Sequence, residues 1–150
     1  MTKALVVYDT VYGNTEKIAK ALAAGLESGG AKVDVVKVDA VKYDELGEFD
    51  LLCVGSPTHA WNASKPMKEF LDRLNSAEGV KDKKAFAFDT KVKSRLAGDA
   101  AAKIESKLKD LDLTIARHSE SAVVKGREGP LEENAEEKFK QIGAELAKIL

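Results

Sequence analysis

The sequence predicts an α/β fold, a parallel sheet with helices on both faces. Three observations carry that prediction. Short β-branched runs alternate along the chain with segments whose apolar residues recur at helical spacing. The run at 50–55 is almost wholly apolar, as a strand covered on both faces must be. The first strand passes through one short loop straight into a helix pattern. The chain has 150 residues, 44% of them hydrophobic, which suits one domain with a sizeable core. Residues 1–150 are therefore read as a single domain.

Each element has its own reason. The first strand is Lys3 to Tyr8, an apolar and β-branched run. The first helix is Thr15 to Ser28: Ile18, Ala19, Leu22 and Leu26 share one face, and Gly29-Gly30 closes it. The second strand is Lys32 to Val38, with Val at 33, 35, 36 and 38. The third is Asp50 to Gly55, followed by a loop from Ser56 to Ala63. The second helix starts near Ser64 and places Met67, Phe70, Leu71 and Leu74 together. The fourth strand is Lys84 to Phe88, and the loop Asp89 to Gly98 follows. Asp99 is the expected N-cap of a third helix with Ile104, Leu108 and Leu111 inward. The fifth strand is Leu113 to Ala116, and its resumption at Ala122 to Val124 is open. Lys125 to Glu133 is polar, holds Gly126, Gly129 and Pro130, and reads as loop. The last helix begins near Asn134, with Glu137 placed for a capping box and Phe139, Ile142, Leu146 and Ile149 as its apolar stripe.

Composition excludes several classes of function. With 24 basic and 25 acidic side chains the chain carries no strong net field, and nothing marks a nucleic-acid binder. No apolar run approaches the roughly 20 residues of a membrane span. Met1-Thr2-Lys3 leads directly into a strand with no signal peptide pattern, so a cytoplasmic location is expected. The single Cys53 lies in an apolar strand and reads as a buried small hydrophobe. One Cys and two distant His offer no metal-ligand spacing. No nucleophile–base pair and no paired carboxylates stand out, so no catalytic residue is assigned.

The segment Leu5 to Thr15 is the most telling. A β-branched run ends in a loop of hydroxyls, Gly and Asn, and a helix begins at once. A helix N-terminus has unpaired N–H donors and roughly half a positive charge, so it suits a phosphate. The loop matches neither the G-x-x-x-x-G-K-[ST] nor the G-x-G-x-x-G pattern. It has three hydroxyl donors, Thr10, Tyr12 and Thr15, and no Lys, which favours a terminal monophosphate held by neutral donors. The plainer alternative is an ordinary β–loop–α turn with Thr15 as N-cap.

This loop resembles the phosphate-binding loop of the flavodoxins, whose pattern is an apolar pair, an aromatic, then T/S-x-x-G-x-T-x-x-x-A-x-x-L. Val6, Val7, Tyr8, Thr10, Gly13, Thr15, Ala19 and Leu22 all fit it. The resemblance implies a flavodoxin-like three-layer sandwich of the short-chain form, with a five-stranded parallel sheet in the order 2-1-3-4-5. It implies FMN as cofactor, bound where the strand order switches, between the first and third strands. The loops after strands one, three and four then build one site.

The first loop supplies Thr10, Val11, Tyr12, Gly13, Asn14 and Thr15 to the phosphate. The second supplies Ser56, Pro57, Thr58, His59, Ala60, Trp61 and Asn62. Gly55-Ser56-Pro57-Thr58 is similar to the G-S-P-T of flavodoxin-like domains, where Pro and Thr approach the ribityl chain and ring. Trp61 and His59 are the candidates to stack on the ring. Many flavodoxins flip a Gly peptide here toward the reduced ring; this loop has no Gly after Gly55, so Ala60 or Asn62 would have to do so. The third loop supplies Asp89, Thr90 and Lys91. It lacks the Tyr that well-known flavodoxins place beside the flavin and carries Lys91, Lys93 and Arg95 instead.

The resemblance implies an electron carrier that shuttles between redox enzymes. Its partners would be reductases and iron–sulfur or flavin enzymes, with no nucleic acid and no membrane, and the chain would act as a monomer. Two other readings share the fold: an FMN-dependent quinone or protoporphyrinogen-type oxidoreductase, and a flavin-free domain that only binds a partner. A signalling receiver is rejected, because the third strand ends in Gly55-Ser56 and Asp9 stands alone.

Overall fold

A computed structural model of the chain describes residues 2–59, 61–94 and 98–150. The elements run β1 (Lys3–Tyr8), α1 (Asn14–Ser28), β2 (Lys32–Lys37), β3 (Leu51–Pro57), α2 (Lys65–Leu74), β4 (Lys84–Val92), α3 (Ala100–Asp110), β5 (Thr114–Ile115), β6 (Glu120–Val124) and α4 (Ala135–Lys148). Two short 3₁₀ turns, Val38–Ala40 and Tyr43–Glu48, join β2 to β3.

The sheet is parallel throughout, in the order β2-β1-β3-β4-β5, and β6 also pairs with β4. Val6 lies opposite Val35 on one side and Cys53 on the other, and Cys53 lies opposite Phe86. Successive side chains of a strand point to opposite faces, and two cores result. Val6, Tyr8, Cys53, Phe86 and Phe88 pack with Ile18 and Leu22 of α1 and Phe139 and Ile142 of α4. Leu5, Val7, Leu52, Val54 and Ala87 pack with Met67 and Phe70 of α2 and Ile104 and Leu108 of α3. Cys53 is fully buried, and that burial pushes its thiol far above the usual range. α1 and α4 meet at two glycines: a Cβ on Gly25 would sit 2.0 Å from the Lys140 carbonyl oxygen, and one on Gly143 2.3 Å from that of Leu22. This close crossing fixes the line of α1, and therefore where its N-terminus points.

Five features depart from the sequence reading. The strand expected to end at Gly55 runs on to Pro57, because Ser56 and Pro57 pair with Asp89 and Thr90 of β4, so both are strand and not loop. The strand expected to end at Phe88 continues to Val92, so Asp89, Thr90 and Lys91 are strand and not loop. The reason is a second ladder, since β6 pairs with Phe88 through Val92. The fifth sheet position comes in two pieces because residues 116–119 span the place of only two residues of β4, between the Ala85–Ile115 and Phe88–Glu120 pairs, and Ser119 N–H donates to the Glu105 carboxylate of α3, 2.8 Å. The capping box at α4 does not form: Asn134 sits at φ 68 with no side-chain cap, whereas a capping side chain needs an extended backbone. Ile149 lies beyond the end of α4 and is exposed, so it leaves the apolar stripe.

Candidate cofactor-binding site

The C-terminal ends of β1, β3, β4 and β6 open onto one cleft of about 540 Å³. One end of it is the start of α1. Thr10, Val11, Tyr12, Asn14 and Thr15 line this end. Gly13 stands just behind them as the N-cap, at φ 90, a backbone conformation that glycine adopts without steric cost. Its N–H donates to Thr10 Oγ1, 2.9 Å, which leaves the Thr10 hydroxyl hydrogen free to point elsewhere. No side chain caps α1, so Thr15 is not the N-cap. Its hydroxyl pairs with the Thr90 hydroxyl at 2.7 Å, a buried contact that ties α1 to β4. The N–H groups of Tyr12, Asn14 and Thr15 have no acceptor among the described residues. An uncapped helix start with free donors and hydroxyls suits an anion.

The other end is built on β3 and β4. Pro57, Thr58, His59 and Trp61 line it, with Lys91 and Val92 of β4. His59 and Asn62 exchange backbone hydrogen bonds of 2.7 and 2.9 Å, which closes a tight turn between them. Trp61 sits at φ 73 within that turn and is 54% exposed, so it is a wall residue of the cleft and not a core residue. Its backbone bridges to Gly98, where a Cβ would stand 2.5 Å from Trp61 Cα. Lys93 is exposed and lies outside the cleft lining. The readings placed on Ala60 and Arg95 fall outside the described residues.

Three predicted site residues stand behind the wall. Ser56 is fully buried; its hydroxyl donates to the Pro57 carbonyl, 2.8 Å, and accepts from Ser64 N–H, 2.9 Å. Asn62 Oδ1 accepts from Ala63 N–H at 2.8 Å. Asp89 is fully buried beneath the cleft. Its Oδ2 accepts from Ala101 N–H, 2.9 Å, and from the Thr58 hydroxyl, 3.1 Å, which itself accepts from Ala100 N–H at 3.3 Å. Its Oδ1 has no partner among the described residues. Burial pushes the Asp89 carboxyl up to about 6; Ser121 and the Ala101 N–H pull it down, and Asp99 adds to the rise.

Val92, Val124 and Arg127 also line the cleft, and none was singled out from the sequence. Val124 ends β6 and Arg127 lies in the fourth loop that follows it, a loop missed because the last strand was uncertain. The signal was the Val123-Val124 pair running into a polar turn.

The wall fits FMN in chemistry. Hydroxyls and free N–H groups gather at the end suited to a phosphate, Pro57, Trp61, Val92 and Val124 offer apolar surface for a ring, and no carboxylate lines the cleft among the described residues. A family model described as Flavodoxin matches residues 6–142. The chain belongs to the flavodoxin family. FMN is the cofactor of that family. This flavodoxin-family chain is similar to a flavodoxin of Aquifex aeolicus, 42% identical over 73 residues, 48% of this chain and 40% of that protein. It is similar to an NAD(P)H dehydrogenase (quinone) of Brucella anthropi, 36% identical over 93 aligned positions, 49% of this chain and 47% of that protein. The chain spans about half the length, or less, of these curated relatives. Among solved structures it matches a flavodoxin from the domain Archaea with TM-score 0.84 and 28% identity, covering 99% of this chain and 98% of that one. Oxidised flavodoxin 1 from Bacillus cereus shares the fold, with TM-score 0.85 at 22% identity and 99% of each chain covered.

Proposed function

We propose that residues 1–150 act as one FMN-binding domain that carries electrons between redox proteins. The observation that carries this reading is the cleft itself, with an uncapped helix start and hydroxyls at one end and exposed Trp61 at the other. Bound FMN supplies the electron chemistry, and the protein supplies binding and electrostatics. Thr10, Tyr12 and Thr15 hydroxyls and the first N–H groups of α1 hold the phosphate. Pro57, Thr58 and Trp61 flank the ring, and Lys91 lends it positive charge. Reductases and iron–sulfur or flavin enzymes are the partners, reached in the cytoplasm by a monomer. No helix among the described residues is long and apolar enough to cross a membrane.

A titration tests the cradle. FMN should bind more tightly than riboflavin, because riboflavin leaves oriented donors without an acceptor, worth a few kcal/mol for charge-assisted bonds. Equal affinities would sink the assignment.

A second reading has specific support. The quinone dehydrogenase relatives and the cation Lys91 in the cleft favour an FMN-dependent quinone oxidoreductase on the same fold. Steady-state quinone reduction by NAD(P)H separates the two: sustained turnover supports the enzyme, and its absence with intact electron transfer supports the carrier.

A further inference from the structure

The first loop contains no Lys or Arg between Asp9 and Thr15, so by sequence its phosphate cradle is made of neutral donors alone. The structure brings a cation to it from the far end of the chain. Residues 126–129 form a tight turn, closed by Gly129 N–H to the Gly126 carbonyl at 3.0 Å. Lys125 N–H donates to the Pro130 carbonyl and Glu132 N–H to the Val123 carbonyl, both at 2.8 Å, so the turn is the tip of a narrow hairpin that continues β6.

That tip is docked onto the start of α1. Asn14 Nδ2 donates to the Glu128 carbonyl at 3.2 Å, and Asn14 is only 8% exposed. Gly129 lies so close that a Cβ would stand 3.0 Å from the Asn14 amide. Arg127 is the second residue of this turn and lines the same cleft as Thr10, Tyr12 and Thr15. Its side chain makes no hydrogen bond or ion pair among the described residues. A docked turn thus holds an unengaged guanidinium next to an uncapped helix start whose N–H groups also lack acceptors. Both sets of donors face one space, and both call for the same kind of group, an oxyanion.

We propose that Arg127 is the cationic contact of the phosphate cradle and selects phosphorylated over unphosphorylated flavin. The proposal rests on the FMN reading given above. The guanidinium fork matches two phosphate oxygens and keeps its charge at any working pH. A phosphate dianion entering a cradle of neutral donors sheds hydration without gaining a counter-charge; Arg127 supplies one. Arg127 is exposed, so its contribution falls with salt.

The test uses the apoprotein and flavin fluorescence. Dissociation constants for FMN and riboflavin are measured for wild type, Arg127→Gln and Arg127→Lys at low and high salt. Arg127→Gln should weaken FMN by about tenfold to a hundredfold, from the net strength of hydrogen bonds to charged groups, and change riboflavin by less than twofold. Arg127→Lys should recover part of the loss, and the salt dependence of FMN binding should flatten in Arg127→Gln. Because the side chain is exposed, the urea midpoint of the variant should match wild type. A wild type that prefers FMN together with an Arg127→Gln variant that keeps the full preference overturns the Arg127 assignment alone. Equal losses for FMN and riboflavin also overturn it, by making Arg127 a structural residue. A wild type with no preference overturns the cradle and this assignment with it.

Discussion

The two ends of the cleft are built differently. At the α1 end, buried Asn14 and Thr15 are tied by side-chain bonds to Glu128 and Thr90, on elements distant in sequence. At the β3–β4 end, Trp61 and His59 are exposed on a tight turn held by its own backbone, over the buried and half-bonded Asp89. A phosphate is a fixed shape with fixed hydrogen-bonding needs, and rigid donors serve it best. On the FMN reading proposed above the other end would meet a planar ring, and its Pro57, Trp61 and Val92 surface is apolar and open. The contrast suggests that changes at the α1 end act on affinity for the phosphate, and changes at the other end act on the ring and on local stability.

The largest effect is expected from Asp89, buried under the β3–β4 end. Burial holds its carboxyl at about 6 in the folded protein, against 3.8 for an ordinary Asp. Between those values the folded state keeps a proton that the unfolded state releases. The stability linked to that proton is therefore full below pH 4 and is lost as pH rises through 6. A shift of this size corresponds to about 3 kcal/mol. Asp89→Asn should gain on wild type by up to that amount in urea unfolding between pH 4 and pH 7.5. Parallel pH profiles for the two proteins would mean that Asp89 is held ionised.

Trp61 comes next. Trp61→Ala should weaken FMN and riboflavin alike by roughly 1–3 kcal/mol, taking base stacking as the nearest calibrated case. Its emission should be strongly quenched in the loaded protein. Unquenched emission would take Trp61 off the ring, and a loss confined to FMN would erase the distinction between the two ends.

Thr15→Val tests the tie between α1 and β4. It removes a hydroxyl and leaves that of Thr90 without its partner, so apoprotein stability should fall by about 1 kcal/mol. FMN affinity should fall while riboflavin affinity holds. If riboflavin affinity falls equally, the α1 end shapes the whole cleft and not the phosphate alone.

The smallest effect is expected from the surface cations. Lys91→Gln should lower the potential of the fully reduced couple, because a cation in the wall favours the added negative charge. Lys93→Gln should change it less, since Lys93 lies outside the lining. Each is worth about 1 kcal/mol or less through water, and less again in salt. Equal potentials for wild type and both variants at low salt would assign these cations to solvent or a partner.

The sequence by itself determined the strand–helix alternation and the loop-to-helix turn from Thr10 to Thr15 that is proposed as the cradle. Both are local: apolar periodicity sets each element, and the cradle needs only a strand, a short loop and the helix that follows it. Trp61 was legible for a similar reason, because a Trp in a polar turn has no apolar face to join. Tertiary structure alone decided what long-range pairing controls. Asp89 to Lys91 are strand because β6 gives them a second ladder, and Ser56 is buried because β3 runs on beside β4 and pairs it with Asp89. Arg127 was invisible as a cradle residue because nothing in its neighbourhood along the chain points to phosphate. Its place depends on the bond between Asn14 and Glu128, 114 positions apart, and only the folded sheet closes that distance.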